Sequence, residues 1–284
     1  MLLHGCRQHP VDFATAAGVT AAADRHGFLV VAPRQDMRHQ VQGCWRWYES
    51  GHQRRAAGEP AILAGIVAEL VATGEVDARQ VYAAGLSAGG AMALILAATY
   101  PDVFAAAGVH SATAYRSAIA GVTALRAMAA RGHPTGRVTP GAIAPIVVVQ
   151  GTADPVVRAP NADRIVEQWL AARRDSTARG LDRIRPLAST TALRIGDRHC
   201  TRTRWHTVTR RRVLEYWRVD GLAHAWSGGT SDAAFVDRHG PSATEVMWDF
   251  LSRHRLPVGP VAVQPGPDIT DLALDDHGRP LPVW

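Results

Sequence analysis

The stretch VYAAGLSAGGAMALILAATYPDVF, Val81 to Phe104, fences Ser87 with Gly85, Gly89 and Gly90. A serine hydroxyl is a weak nucleophile until a base takes its proton and a carboxylate orients that base. A strand that turns sharply into a helix around a strained serine needs small neighbours, because side chains at the flanking glycines would collide with backbone. G-L-S-A-G therefore reads as a nucleophile elbow, with the hydroxyl over the amino end of the next helix, where developing negative charge is favoured. The competing reading is a glycine-rich turn with an incidental serine.

Such an elbow requires an acid and a histidine later in the chain, each on a loop after a strand. Asp154, in VVVQGTADPVV, directly follows an apolar run, and His224, in YWRVDGLAHAWSGG, follows the next plausible core strand. The alternatives are a loop-capping carboxylate and a surface histidine. His110 precedes Asp154, and His199 and His206 lie in or before an outer hairpin, so these rank behind His224. A tetrahedral oxyanion also needs backbone N–H donors, one from the residue after the serine and one from a loop after an earlier strand. Ala88 fits the first, and Cys6 in LLHGC fits the second unless His4-Gly5 is merely a tight turn.

The elements that must position these residues follow from periodicity. Val11 to His26 reads as one helix ended by Gly27, FLVVAP (Phe28 to Pro33) as a buried strand, and Arg34 to Gly58 as a long polar loop. EPAILAGIVAELVATG repeats apolar pairs every four residues, a helical face with Pro60 in its first turn. VYAAGL, FAAAGVHS and APIVVVQG read as strands, and Ala88 to Tyr100, NADRIVEQWLAARR and SATEVMWDFLSRHR as helices. TRTRWHTV and VLEYWRVD form a strand pair, and Ala112 to Gly141 a helical excursion with a loop. This alternation predicts an α/β fold, a mostly parallel sheet with helices on both faces. Residues 1–255 form one catalytic domain in this reading, and 256–284 a Pro/Gly-rich tail without period.

Composition narrows the partners. The 284 residues are 47% apolar and 20% charged, as expected of a globular chain. The net charge is +6, every basic side chain other than histidine is arginine, and only Arg210, Arg211 and Arg212 cluster. A solvated hairpin end explains that triplet better than a nucleic-acid partner does. No run of about 18 apolar residues predicts a membrane span, and no charged-then-apolar leader is present. MLLHGC opens on the end of a buried strand whose usual flanking strands are lacking, so the protein is expected to begin upstream. No metal or organic cofactor is predicted, since no paired-cysteine or His-rich ligand spacing occurs. Three cysteines leave an odd thiol if a bridge forms. Cys6 and Cys44, both in segments expected beside the site, are the preferred pair, against two free buried thiols.

LLHGC, the GEPAILAGIV helix, the Val81 to Ser111 stretch, GTADPVV with Asn161-Ala162, and GLAHAWSGG together resemble the polyhydroxybutyrate-depolymerase-type esterases. That branch of the α/β-hydrolases also holds feruloyl and acetylxylan esterases. The resemblance runs from about Leu2 to Leu251. It implies an often secreted hydrolase of polymer-borne or aryl carboxylic esters, with Ser87, Asp154 and His224 as its triad. The family's CWNW-like segment reads Cys44-Trp45-Arg46-Trp47 here, a departure that bears on substrate choice rather than on the chemistry. Trp45, Trp47 and Trp226 are candidate walls of an acyl or aryl pocket, or else core filling under the long loop. The residues leave open a hydroxyalkanoate, a ferulate or an acetate as the ester, and also oligomeric state. A peptidase of the same fold and a non-catalytic binding module or truncated relic are the competing functions.

Overall fold

The computed structural model describes residues 1–131, 136, 138, 143–174 and 188–257. Its centre is β4 (Ile146–Gly151), whose six residues are all buried. A strand covered on both faces reads as a continuous apolar run rather than an alternating one, and IVVVQG fits. Ile146 and Val148 pack into one core, Val147 and Val149 into the other.

Around this strand lies a seven-stranded sheet in the order β1-β2-β3-β4-β7-β6-β5. The strands β1 (Leu2–Leu3), β2 (Tyr82–Leu86), β3 (Ala106–His110), β4 and β7 (Arg212–Val219) run parallel. Two antiparallel strands, β6 (Arg198–His206) and β5 (Ser189–Ile195), finish one edge. On one face the core takes side chains from α3 (Gly58–Ala72), α4 (Ala88–Thr99), α5 (Gly121–Met128) and α6 (Pro160–Arg174). The other face is covered by α1 (Pro10–Ala16), α2 (Val19–His26) and α7 (Ala243–Leu251). A small parallel pair, β8 (Trp226–Ser227) and β9 (Val236–Asp237), closes the segment after β7.

In α4 every residue from Ala88 to Ala97 is buried. A helix that is apolar all round belongs inside the protein, and the small residues of AGGAMALILAAT let it approach the sheet closely. Its amino end therefore meets the carboxyl ends of β1 to β3, where ligands bind in open α/β sheets.

Three expectations need correction, and one strand was not expected. The single helix over Val11 to His26 is two, because Gly18 adopts φ 74° and breaks the run between α1 and α2. Phe28 to Pro33 forms no regular strand; it lies beside the sheet edge, where Leu2 N–H donates to the Val31 carbonyl at 2.7 Å, and Leu29 is exposed. β5 has no counterpart in the sequence reading, since its residues are mostly exposed and lack apolar alternation. Arg212 does not share the solvated position of Arg210 and Arg211: it turns inward to Glu215 and Asp249. Of the expected tail, residues 258–284 lie outside the described residues, as do parts of the loop before β4.

Candidate active site

Ser87 follows β2 and caps α4 with φ 57° and ψ −119°. For a non-glycine residue this backbone costs about 1–3 kcal/mol and persists only where surrounding structure enforces it. Two hydrogen bonds do so: Ser87 N–H donates to the His110 carbonyl at 2.9 Å, and Ala91 N–H donates to the Ser87 carbonyl at 2.9 Å. The flanking glycines are steric necessities. A Cβ on Gly85 would lie 2.5 Å from the Leu3 carbonyl oxygen, one on Gly89 2.0 Å from the same atom, and one on Gly90 2.8 Å from the His110 oxygen. The Ser87 side chain makes no capping bond to α4.

The loop after β1 is pinned from several directions. The buried His4 imidazole accepts Gln35 N–H on Nε2 at 3.1 Å and reaches the Gly5 carbonyl with Nδ1 at 2.7 Å. These bonds fix the neutral tautomer with the proton on Nδ1, and burial pushes the group below its ordinary pKa. Gly5 N–H donates to Gln8 Oε1, Arg7 N–H donates to the Gln42 carbonyl, and a disulfide joins Cys6 to Cys44. Cys200 is the free, buried thiol. A Cβ on Gly5 would stand 3.5 Å from Ser87 Cβ, so this loop borders the elbow. Among the described residues neither the Cys6 nor the Ala88 amide has a backbone acceptor, which leaves both free to donate to a ligand.

Asp154 and His224 meet although 70 positions separate them, with Nδ1 to Oδ2 at 2.8 Å. The other carboxylate oxygen, Oδ1, accepts Val156 and Val157 N–H at 2.9 and 2.8 Å, and Gln150 Nε2 donates to Oδ2 at 3.4 Å. Burial alone would raise the Asp154 pKa, but the His224 bond and charge and the two amides outweigh it and hold the carboxyl below its usual range. With Nδ1 engaged, Nε2 is the His224 atom left for proton transfer.

His110, ranked behind His224 from sequence, is fully buried at the end of β3 and serves as a strut. Its carbonyl holds Ser87, its Nε2 accepts Ser227 N–H at 3.2 Å, and its Nδ1 faces Ser111 Oγ at 3.1 Å. The ring also stacks on Trp226 at 5.2 Å. Burial, with the His224 charge adding and Asp154 opposing, pushes its pKa down to about 3. One neutral imidazole thus ties the serine turn to the segment that carries His224.

The tryptophans expected as pocket walls are interior residues: Trp45 is 3% exposed, Trp47 7% and Trp226 1%. Trp45 Nε1 donates to the His4 carbonyl, bracing the loop after β1, and Trp226 Nε1 donates to Thr244 Oγ1, tying β8 to α7. Arg46, at the departure from CWNW, has its N–H on the buried Glu59 carboxylate at 2.7 Å, which also accepts from Gln35 Nε2. The aromatic beside His224 is Phe235, with ring centroids 6.3 Å apart and nearly perpendicular. Nothing in the spacing of SDAAFVD marks it, because its role depends on the β8–β9 pairing.

The chain is 33% identical over 180 residues to poly(3-hydroxyalkanoate) depolymerase C of Paucimonas lemoignei, covering 59% of this chain and 43% of that protein. It is 32% identical over 116 residues to feruloyl esterase B of Neurospora crassa, covering 40% and 38%. The chain thus spans less than half the length of these curated relatives. Among solved structures, an acetyl xylan esterase from Aspergillus awamori superposes with a TM-score of 0.61 at 16% identity, covering 89% of this chain and 87% of that one. That likeness bears on the fold, which is the α/β-hydrolase fold. The sequence model described as Esterase PHB depolymerase matches residues 1–185, and the chain belongs to that family.

Proposed function

We propose that the chain is a serine carboxylic-ester hydrolase. The observation that carries the reading is the Asp154–His224 bond, formed in a sheet whose strained Ser87 turn also follows a parallel strand. In the first step Ser87 Oγ bonds to the ester carbonyl carbon while His224 Nε2 takes the hydroxyl proton. The oxyanion accepts from the Cys6 and Ala88 amides. The carbon–oxygen bond to the alcohol then breaks, and His224 returns its proton to the departing oxygen. Water repeats the sequence on the acyl-enzyme, releasing the acid and restoring Ser87. Asp154 stays ionised throughout and holds the imidazole.

The substrate class is hydroxyalkanoate oligomers or related aryl and acetyl esters, in line with relatives named as a depolymerase and a feruloyl esterase. The Cys6–Cys44 bridge supports an oxidising, extracytoplasmic setting. Among the described residues no helix is long and apolar enough to cross a membrane. Hydrolysis of a panel of 3-hydroxybutyrate dimers and trimers, methyl ferulate and aryl acetates tests the reading. Turnover that falls on the order of 10⁴-fold or more in Ser87→Ala supports it, and equal turnover by both proteins rejects it.

A further inference from the structure

Phe235 stands apart from every other aromatic residue described. It is 43% exposed, and no other described phenylalanine, tyrosine or tryptophan reaches that exposure. It also adopts φ 62°, a left-handed backbone that is a genuine outlier for a bulky side chain. Neither property follows from stability: burying the ring or placing glycine there would each be favourable.

The strain is imposed by the surrounding segment. Phe235 carbonyl accepts Trp226 N–H at 2.8 Å, immediately before Val236 pairs with Trp226 and Asp237 with Ser227. Gly229 N–H donates to the Asp237 carbonyl at 3.0 Å, and the Asp237 carboxylate pairs with Arg198. A rigid strip thus presents an apolar ring to solvent, edge to face with the His224 imidazole at 6.3 Å.

The position of that ring selects one half of an ester. His224 Nδ1 is held by Asp154, so proton return to the leaving alcohol passes through Nε2, and the alcohol must sit against the imidazole as it departs. The acyl group stays on Ser87 and needs no contact with His224. We propose that Phe235 is the apolar wall of the leaving-alcohol subsite, selecting esters whose alcohol carries an aryl or extended alkyl group. The inference rests on the esterase reading above.

Two substrate pairs separate the halves: benzyl acetate against methyl acetate changes only the alcohol, and methyl butanoate against methyl acetate changes only the acyl group. In Phe235→Gly, which relieves the backbone strain, the benzyl-to-methyl ratio of kcat/KM falls about tenfold. The butanoate-to-acetate ratio stays within about twofold, and Phe235→Tyr keeps both ratios. Phe235→Asn, which also tolerates this backbone, gives the same comparison should the glycine variant fold poorly. A benzyl preference unchanged by losing the ring, or both ratios falling together, overturns the assignment. Labelling of Ser87 by ethyl fluorophosphonate is followed in the same samples: wild type that labels while the ratios stay put rejects only the Phe235 role, and wild type that neither labels nor turns over any ester rejects the parent reading with it.

Discussion

Gly89 and Leu3 are in direct backbone contact: a Cβ on Gly89 would lie 2.0 Å from the Leu3 carbonyl oxygen and 2.5 Å from its carbon. The first turn of the serine helix is therefore seated on the strand that leads into His4-Gly5-Cys6, and no side chain fits between them. Gly89→Ala must force β1 and α4 apart, and overpacking of this kind costs about 3 kcal/mol or more at a rigid backbone site. Urea unfolding checks it against Gly51→Ala, where an added Cβ meets nothing within 4 Å. The control stays within about 0.5 kcal/mol of the parent, and a Gly89→Ala protein equally close to the parent contradicts the packing described.

The disulfide has a separable role. Cys6 carries an amide proposed to bind the oxyanion, and its bond to Cys44 anchors that loop to the long segment before α3. In the double variant Cys6→Ala, Cys44→Ala the loop keeps the His4 and Arg7 contacts but loses its covalent tie. Turnover is expected to fall about 10- to 100-fold through misplacement of the donor, with unfolding stability lower by about 3 kcal/mol. Parallel measurement of kcat and of denaturant midpoints reads both effects, and unchanged kcat would remove the loop from the mechanism.

Acid acts on two buried histidines. Burial pushes both His110 and His254 down to about 3, and in His254 nearby arginines add to that effect. Each is neutral when folded and takes a proton near pH 6.5 when unfolded. The unfolded state therefore binds more protons between roughly pH 6.5 and pH 3, and stability falls as the pH drops through that window. Each group contributes a slope of up to about 1.4 kcal/mol per pH unit. Asp154, held low in the folded protein, adds a loss in the same direction as the pH drops below the usual carboxylate range. Chemical denaturation at pH 7, 6 and 5 should show His254→Phe with a shallower decline than wild type; an identical slope contradicts the assignment.

Much of this site is legible in the sequence because its constraints are local. Gly85, Gly89 and Gly90 are demanded by backbone atoms a few residues or one strand away, and Asp154 and His224 each follow an apolar strand that identifies the loop. What was not legible depends on distant contacts. An apolar run such as Phe28 to Pro33 becomes a strand only where a neighbour offers a full ladder, and the short β1 offers little of one. Trp45 and Trp226 look alike as pocket wall or as core in a sequence, and the fold of the loops over them decides. Phe235 gains its place from the pairing of Val236 and Asp237 with Trp226 and Ser227, for which SDAAFVD carries no periodic signal. His110 sits in a strand the sequence does mark, yet its use as a strut emerges only when Ser227 is brought to it.

If Ser87 is an activated nucleophile beside free amide donors, intact mass after treatment with a fluorophosphonate will show it. One adduct is expected, mapped to the peptide that contains Ser87 and absent from a folded Ser87→Ala protein. A folded wild-type protein that takes up no adduct, or a Ser87→Ala variant that is labelled as fast as wild type, would contradict it.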